Sequence, residues 1–186
     1  MAVRQERMGD VAVLVIDHPP VNALGHALRA GLAGAMHDAL QDPGVAAIVI
    51  RADGRTFPAG ADIAEFGKPP QAPLLSDLCD AIEASPKPVI AAIHGTALGG
   101  GLELALAAHY RVALASAKVG LPEVSLGILP GAGGTQRTPR IAGAAAALDL
   151  MISGKPVGAA RARDLGLIDA VVEDDLPTAA IALARV

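Results

Sequence analysis

Two glutamates stand in settings that suit proton transfer. Glu103 lies in Gly101-Leu102-Glu103-Leu104-Ala105-Leu106-Ala107, directly after Gly99 and Gly100. On a helix its neighbours one turn away are Gly99, Gly100, Leu106 and Ala107, none of them polar. A carboxylate there has no solvated face, and burying it is costly unless it is hydrogen-bonded or protonated. Its pKa is expected to rise, which suits general acid/base work near neutral pH. An edge glutamate on a partly exposed helix is the competing reading. Glu123 follows Pro122 in Gly120-Leu121-Pro122-Glu123-Val124-Ser125-Leu126-Gly127, where the proline fixes the local backbone. A solvated loop carboxylate fits that segment equally.

The glycines before Glu103 complement it. Three in succession let backbone approach a ligand closely and take positive φ. A helix N-terminus also exposes free N–H groups and the positive end of a dipole, an arrangement suited to an oxyanion. The same residues would serve a tight strand-to-helix turn packed on a sheet. They are not a phosphate-binding loop of the G-x-x-x-x-G-K-[ST] kind, because no Lys-Ser/Thr follows. A second small-residue loop, Phe57-Pro58-Ala59-Gly60-Ala61-Asp62-Ile63-Ala64-Glu65-Phe66, could also turn N–H groups to a ligand. Asp62 could cap the helical turn after it. An ordinary surface loop is the alternative. Gly131-Ala132-Gly133-Gly134-Thr135-Gln136-Arg137 reads as a structural turn into a helix.

Other chemistries find little support. The five histidines, 18, 26, 37, 94 and 109, show no metal-ligand spacing. Cys79 is the single cysteine, so no intrachain disulfide or Cys-based zinc site can form. It falls on the apolar face of its helix, where packing is its expected role. No serine has the G-x-S-x-G context of a nucleophile elbow. Lys87 and Lys155 are expected to be solvated.

These residues need elements to hold them. Val11–Asp17, Val45–Arg51, Val89–Ile93 and Tyr110–Ala115 read as strands. Leu28, Leu32, Met36 and Leu40 give helical spacing between Gly25 and Gln41. A helix over 72–84 carries Leu74/Leu75, Leu78/Cys79 and Ile82 on one face, and another runs from the triple glycine to His109. After Lys118 the pattern turns loop-like. Short helices are expected near 134–141, 144–152 and 158–165, and 178–186 is helical in composition. Alternating strands and helices with short connections predict an α/β fold with layered sheets.

The 186 residues suit one domain, with 52% hydrophobic residues to fill its core. Aromatics are only 2%, so Ala, Val, Leu and Ile must build that core. A net charge of −4 without a basic cluster argues against nucleic acid, and stacking platforms are lacking. An anionic small ligand needs only a few local cations or helix N-termini. No apolar stretch is long enough for a membrane span, and the charged start Met1–Arg7 has no signal core. A reduced, cytoplasmic setting is expected.

Taken together, the segments resemble the enoyl-CoA hydratase/isomerase (crotonase) family. The matching pieces are V-N-A-L (21–24), F-P-A-G-A-D-I-A-E-F (57–66), P-K-P-V-I-A-A-I-H-G-T-A-L-G-G-G-L-E-L-A-L (86–106) and V-G-L-P-E-V-S-L-G-I-L-P-G-A-G-G-T-Q-R (119–137). Residues 86–137 are most similar in wording to the N-terminal hydratase/isomerase part of multifunctional β-oxidation enzymes. The resemblance implies a spiral of stacked ββα units and a coenzyme A thioester as substrate, with no separate cofactor or metal. It implies an oxyanion hole from the N–H groups of Ala61 and Gly100. The backbone near Ala59, Asp62 and Ile63 would meet the adenine end of coenzyme A. Glu103 and Glu123 would be the acid/base pair, and the presence of both favours a hydratase that can also isomerise. Isomerisation alone and a non-catalytic acyl-CoA-binding module are the alternatives. The resemblance also implies a homo-oligomer or fusion to a hydroxyacyl-CoA dehydrogenase part. Family members carry further helices beyond the stretch matched here, so residues 1–186 are expected to be a domain incomplete at its C-terminus.

Overall fold

Val11–Ile16 is buried along its whole length, because both faces of its sheet are covered. Val11, Val13 and Val15 enter one core, while Ala12, Leu14 and Ile16 enter the other. The period of two in a strand forces this division. The same parity sorts Val49 from Ile48 and Ile50, and Ile90 and Ala92 from Ala91 and Ile93.

The computed structural model describes residues 2–185. The elements run β1 (Val3–Met8), β2 (Val11–Ile16), α1 (His26–Gln41), β3 (Ala47–Ala52), α2 (Leu75–Glu83), β4 (Val89–Ile93), β5 (Thr96–Leu98) and α3 (Gly100–Ala107). Then follow β6 (Tyr110–Leu114), β7 (Lys118–Gly120), α4 (Gly134–Ala142), α5 (Ala144–Ser153), β8 (Val157–Gly158), α6 (Ala159–Asp164), β9 (Ala170–Val172) and α7 (Leu176–Leu183). Short 3-10 turns occupy Ile63–Glu65 and Pro122–Leu126.

The larger sheet has the order β1-β2-β3-β4-β6-β9, parallel except for the β1–β2 pair. A smaller sheet, β5-β7-β8, lies beside it. The chain goes from β4 in the larger sheet to β5 in the smaller and then into α3. It repeats the step from β6 to β7. This is the stacked ββα progression that the resemblance implies. The main core fills the space between the larger sheet and α1, α2 and α3, with Leu28, Leu32, Leu78, Ile82 and Leu102 fully or almost fully buried. On the opposite face, Leu176, Ala180 and Ala184 cover Ile90 and Val112.

The predicted helices and long strands are present, with boundaries displaced by a few residues. β1 was not expected, since half of Val3–Met8 is charged and it holds no apolar run. It forms because an edge strand buries only one face, here through Val3. β5, β7 and β8 are too short to carry a periodic signal. The helix expected over 158–165 is α6, preceded by β8. The helix expected over 178–186 is α7, and the last position of that expectation, Val186, lies outside the described residues, as does Met1. Lys87 is not simply solvated: its Nζ donates to the carbonyls of Ala39 (2.8 Å) and Asp42 (2.7 Å) at the end of α1. A cation there satisfies carbonyls that have no partner within the helix.

Candidate active site

The turn from β5 into α3 is built around three glycines with different duties. Gly99 has φ +52, which favours glycine. A Cβ on Gly100 would lie 2.7 Å from Leu75 Cδ2, and one on Gly101 would lie 1.7 Å from the Pro58 carbonyl oxygen. The 57–61 loop therefore rests directly on the first turn of α3. The same hypothetical Cβ of Gly100 lies 3.5 Å from the Ala61 amide nitrogen, so the two segments meet at this point. Among the described residues neither the Ala61 nor the Gly100 amide is matched to an acceptor. Both residues border an open cleft of about 410 Å³.

Every residue of α3 is buried, and Glu103 is only 2% exposed. The edge-glutamate reading is thereby set aside. Its Oε1 accepts hydrogen bonds from the Ala132 amide (2.7 Å) and the Gly134 amide (2.8 Å). Burial pushes the Glu103 carboxyl above the usual range, while these amides and the nearby Arg137 charge oppose the rise. The α3 N-terminus adds positive potential in the same first turn.

Glu123 is 7% exposed and stands in the Pro122–Leu126 turn. Gly127, with φ +70, ends that turn in the left-handed region. The Glu123 Oε1 lies 3.0 Å from where a Cβ of Gly99 would be, and Oε2 is buried without a hydrogen-bond partner among the described residues. Burial raises the Glu123 carboxyl, and the Glu103 charge raises it further. The solvated-loop reading thus gives way to two raised carboxyls on one cleft, from separate elements. Its remaining walls are largely apolar, with Phe66, Leu75, Leu126, Ile128 and Leu129 among them.

The other expected site residues divide between two spaces. Ala59, Ala61 and Ile63 border the cleft with the carboxyls. Asp62 instead borders an adjoining cleft, which shares Ala61, Phe66, Leu74 and Leu75 with the first and contains Arg29 and Lys68. Asp62 Oδ1 also accepts from the Ala64 amide at 2.9 Å, the cap expected for it. Two donors were missed, the amides of Ala132 and Gly134, in a segment read as a structural turn. A usable signal existed. A buried carboxylate requires donors, and G-A-G-G offers backbone amides without side chains in the way.

A sequence model of the enoyl-CoA hydratase/isomerase family matches residues 6–185. The chain belongs to that family. The peroxisomal bifunctional enzyme of Danio rerio is 52% identical over 174 residues, which is 94% of this chain and 24% of that protein. A probable enoyl-CoA hydratase of Bacillus subtilis (strain 168) is 49% identical, covering 89% of this chain and 67% of the relative. The chain thus spans about a quarter of the bifunctional relative's length. Among solved structures, the enoyl-CoA hydratase from Thermoplasma volcanium GSS1 superposes with a TM-score of 0.91 at 37% identity. That match covers 100% of this chain and 77% of the other. The enoyl-CoA hydratase from Bacillus anthracis gives 0.92 at 33% identity, with 100% and 76% covered. Membership in the crotonase family agrees with the two-sheet ββα progression described above. No helix among the described residues is long and apolar enough to cross a membrane.

Proposed function

We propose that this domain hydrates the 2,3 double bond of a 2-enoyl-CoA in fatty-acid β-oxidation and also moves the double bond of a 3-enoyl-CoA. The observation that carries this reading is the shared cleft: two buried carboxyls border the same space as two amides that find no acceptor among the described residues. The names of the relatives, a peroxisomal bifunctional enzyme and several enoyl-CoA hydratases, support it.

The thioester carbonyl oxygen sits between the amides of Ala61 and Gly100. As the β-carbon is attacked, negative charge moves to that oxygen and an enolate develops. A preorganised donor is worth about 3 kcal/mol in such a transition state. The positive end of α3 adds to it. Glu103 and Glu123 hold a water between them. One carboxylate takes the water's proton as its oxygen bonds to the β-carbon, and a carboxylic acid of the pair returns a proton to the α-carbon. The Glu123 Oε2, buried without a partner among the described residues, accepts a hydrogen from that water. In isomerisation Glu123 removes a proton from one carbon and delivers it two carbons away, through the same enolate. The two carboxyls titrate as a pair, so the proton's resting place belongs to both. The acyl chain lies against the apolar wall formed by Leu75, Leu126 and Ile128. The backbone of Ala59, Asp62 and Ile63 meets the adenine end of coenzyme A. The scheme uses the protein's own amides and carboxyls, and coenzyme A enters as part of the substrate. A hydroxyacyl-CoA dehydrogenase part would consume the product; the relative named a bifunctional enzyme is matched over 24% of its length.

Water addition to a short 2-enoyl-CoA tests the reading. Glu103→Gln keeps an oxygen that can accept from Ala132 and Gly134 but removes the acid/base function. Hydration is expected to fall about 100-fold or more, the scale of acid/base catalysis. Isomerisation of a 3-enoyl-CoA should fall less. Undiminished hydration in Glu103→Gln would overturn the role of Glu103. Calorimetric binding of acyl-CoA without turnover in the wild type would overturn the enzymatic reading and leave a binding module.

A further inference from the structure

Arg137 is the least expected charge in this region. Its side chain is 8% exposed, and its guanidinium lies under the 131–134 loop. Nη1 donates to the Ala132 carbonyl at 2.9 Å. It also occupies the space where Gly133 would carry a side chain, since a Cβ there would lie 2.1 Å away. Gly133 adopts φ +99, so the loop curls around the cation. The opposite side of the curl carries the Ala132 and Gly134 amides that hold Glu103 Oε1. The far end of the guanidinium is tied to α2. Nη2 donates to Asp80 Oδ1 and Glu83 Oε2, both at 2.7 Å.

We propose that Arg137 is a positioning residue for Glu103: it clamps the 131–134 loop in the one curl that presents two amides to the Glu103 carboxylate. The consequence for function rests on the hydratase reading above. The loop is held between a carboxylate on one side and a guanidinium on the other, so neither amide can turn away while the clamp is closed. Arg137 is suited to this because its planar fork makes several bonds at once, whereas a lysine would supply a point charge. The ionisable groups facing Glu103 are Glu123 from the 122–126 turn, Cys79 from α2 and Arg137 from α4. β5 contributes none. Cys79 is held neutral, its thiol pushed up to about 12 by burial. Among the described residues, Arg137 is therefore the cation opposing protonation of Glu103.

The test uses the full chain labelled with 13C-glutamate, with the Glu103 carboxyl signal assigned from Glu103→Gln. Its titration is followed in the wild type, Arg137→Lys and Arg137→Gln, alongside hydration and isomerisation rates across pH. In Arg137→Gln the Glu103 carboxyl is expected to titrate at higher pH than in the wild type. The kcat for hydration should fall about 10- to 100-fold, the scale of a small misplacement of a catalytic group. KM and isomerisation should change less. Arg137→Lys should restore the titration but only part of kcat. The inference is overturned if Glu103 titrates identically in wild type and Arg137→Gln while both reactions fall together with the folded fraction. Where Arg137→Gln does not fold, the Asp80→Asn/Glu83→Gln variant decides, because it alters only exposed carboxylates. A several-fold loss of hydration relative to isomerisation supports the clamp, and wild-type rates overturn it. A wild type that hydrates nothing, yet shows the titration shift in Arg137→Gln, would refute the hydratase reading and leave the clamp standing.

Discussion

Glu103 and Glu123 hold their protons more tightly in the fold than in water, for the same reason: both are taken out of solvent. They differ in what replaces the solvent. Glu103 receives two amides on Oε1, while the buried Oε2 of Glu123 has no partner among the described residues. The first is thus the better-anchored group and the second the one with a vacant acceptor for water or substrate. A raised folded pKa has a definite sign in stability. The contribution of each group is complete below the ordinary glutamate value of 4.5 and is lost as pH rises through the higher folded value. Over that window the wild type should lose thermal stability with rising pH. Glu103→Gln/Glu123→Gln should lose less, because neither side chain ionises. Parallel Tm-against-pH curves for the two proteins would count against this. The sign is opposite to that for Glu65, whose pairing with Arg29 holds its carboxyl below the usual range and makes it more stabilising as pH rises.

At the scale of elements, the site depends on how closely a loop can rest on a helix end. Gly101 brings the Pro58 carbonyl against α3, and this contact sets how near Ala61 comes to Gly100. The far end of the same loop is fastened by Arg29 of α1. Its guanidinium donates to the Leu24, Gln71 and Pro73 carbonyls and to Glu65 Oε2. Gly101→Ala cannot be absorbed by a flexible side chain, since the obstacle is backbone. It should cost about 1–3 kcal/mol, typical of overpacking. Turnover should fall further than the folded fraction, because the loop moves away from α3. Wild-type kcat in a folded Gly101→Ala protein, measured with a 2-enoyl-CoA, would contradict the arrangement. Arg29→Met should destabilise by about 2 kcal/mol or more in urea, through lost charge-assisted hydrogen bonds.

For the whole molecule, the larger sheet separates two cores with different tasks. The face toward α1, α2 and α3 supports the cleft, while α7 closes the other face. Damage to the second core should therefore cost stability without altering the chemistry. Ala180 is fully buried against Ile90 and Val112. Ala180→Asp would place a carboxylate there without a partner and should destabilise by about 3 kcal/mol. Specific activity per folded molecule should stay at the wild-type level. A large change in kcat at full folding would show that the two faces are coupled.

The sequence by itself determined the elements that bury enough apolar surface to declare themselves. The runs at β2, β3 and β4 and the spacing of Leu28, Leu32 and Met36 in α1 are strong local signals. It also determined the family, because four motifs in fixed order are far more specific than any one alone. The apolar surroundings of Glu103 were legible for a local reason, since a helix sets its own neighbours at three and four residues. What only the tertiary structure decided lies at longer range. Val3–Met8 is a strand because β2 offers it a partner, not because of its charged sequence. Glu123 is buried because distant elements close over an otherwise ordinary loop, and no local pattern carries that information. The Ala132 and Gly134 amides reach Glu103 across about thirty residues of chain, and Arg137 reaches back across still more to Asp80 and Glu83. Local spacing fixes which groups can face one another within an element, whereas packing alone fixes which elements meet.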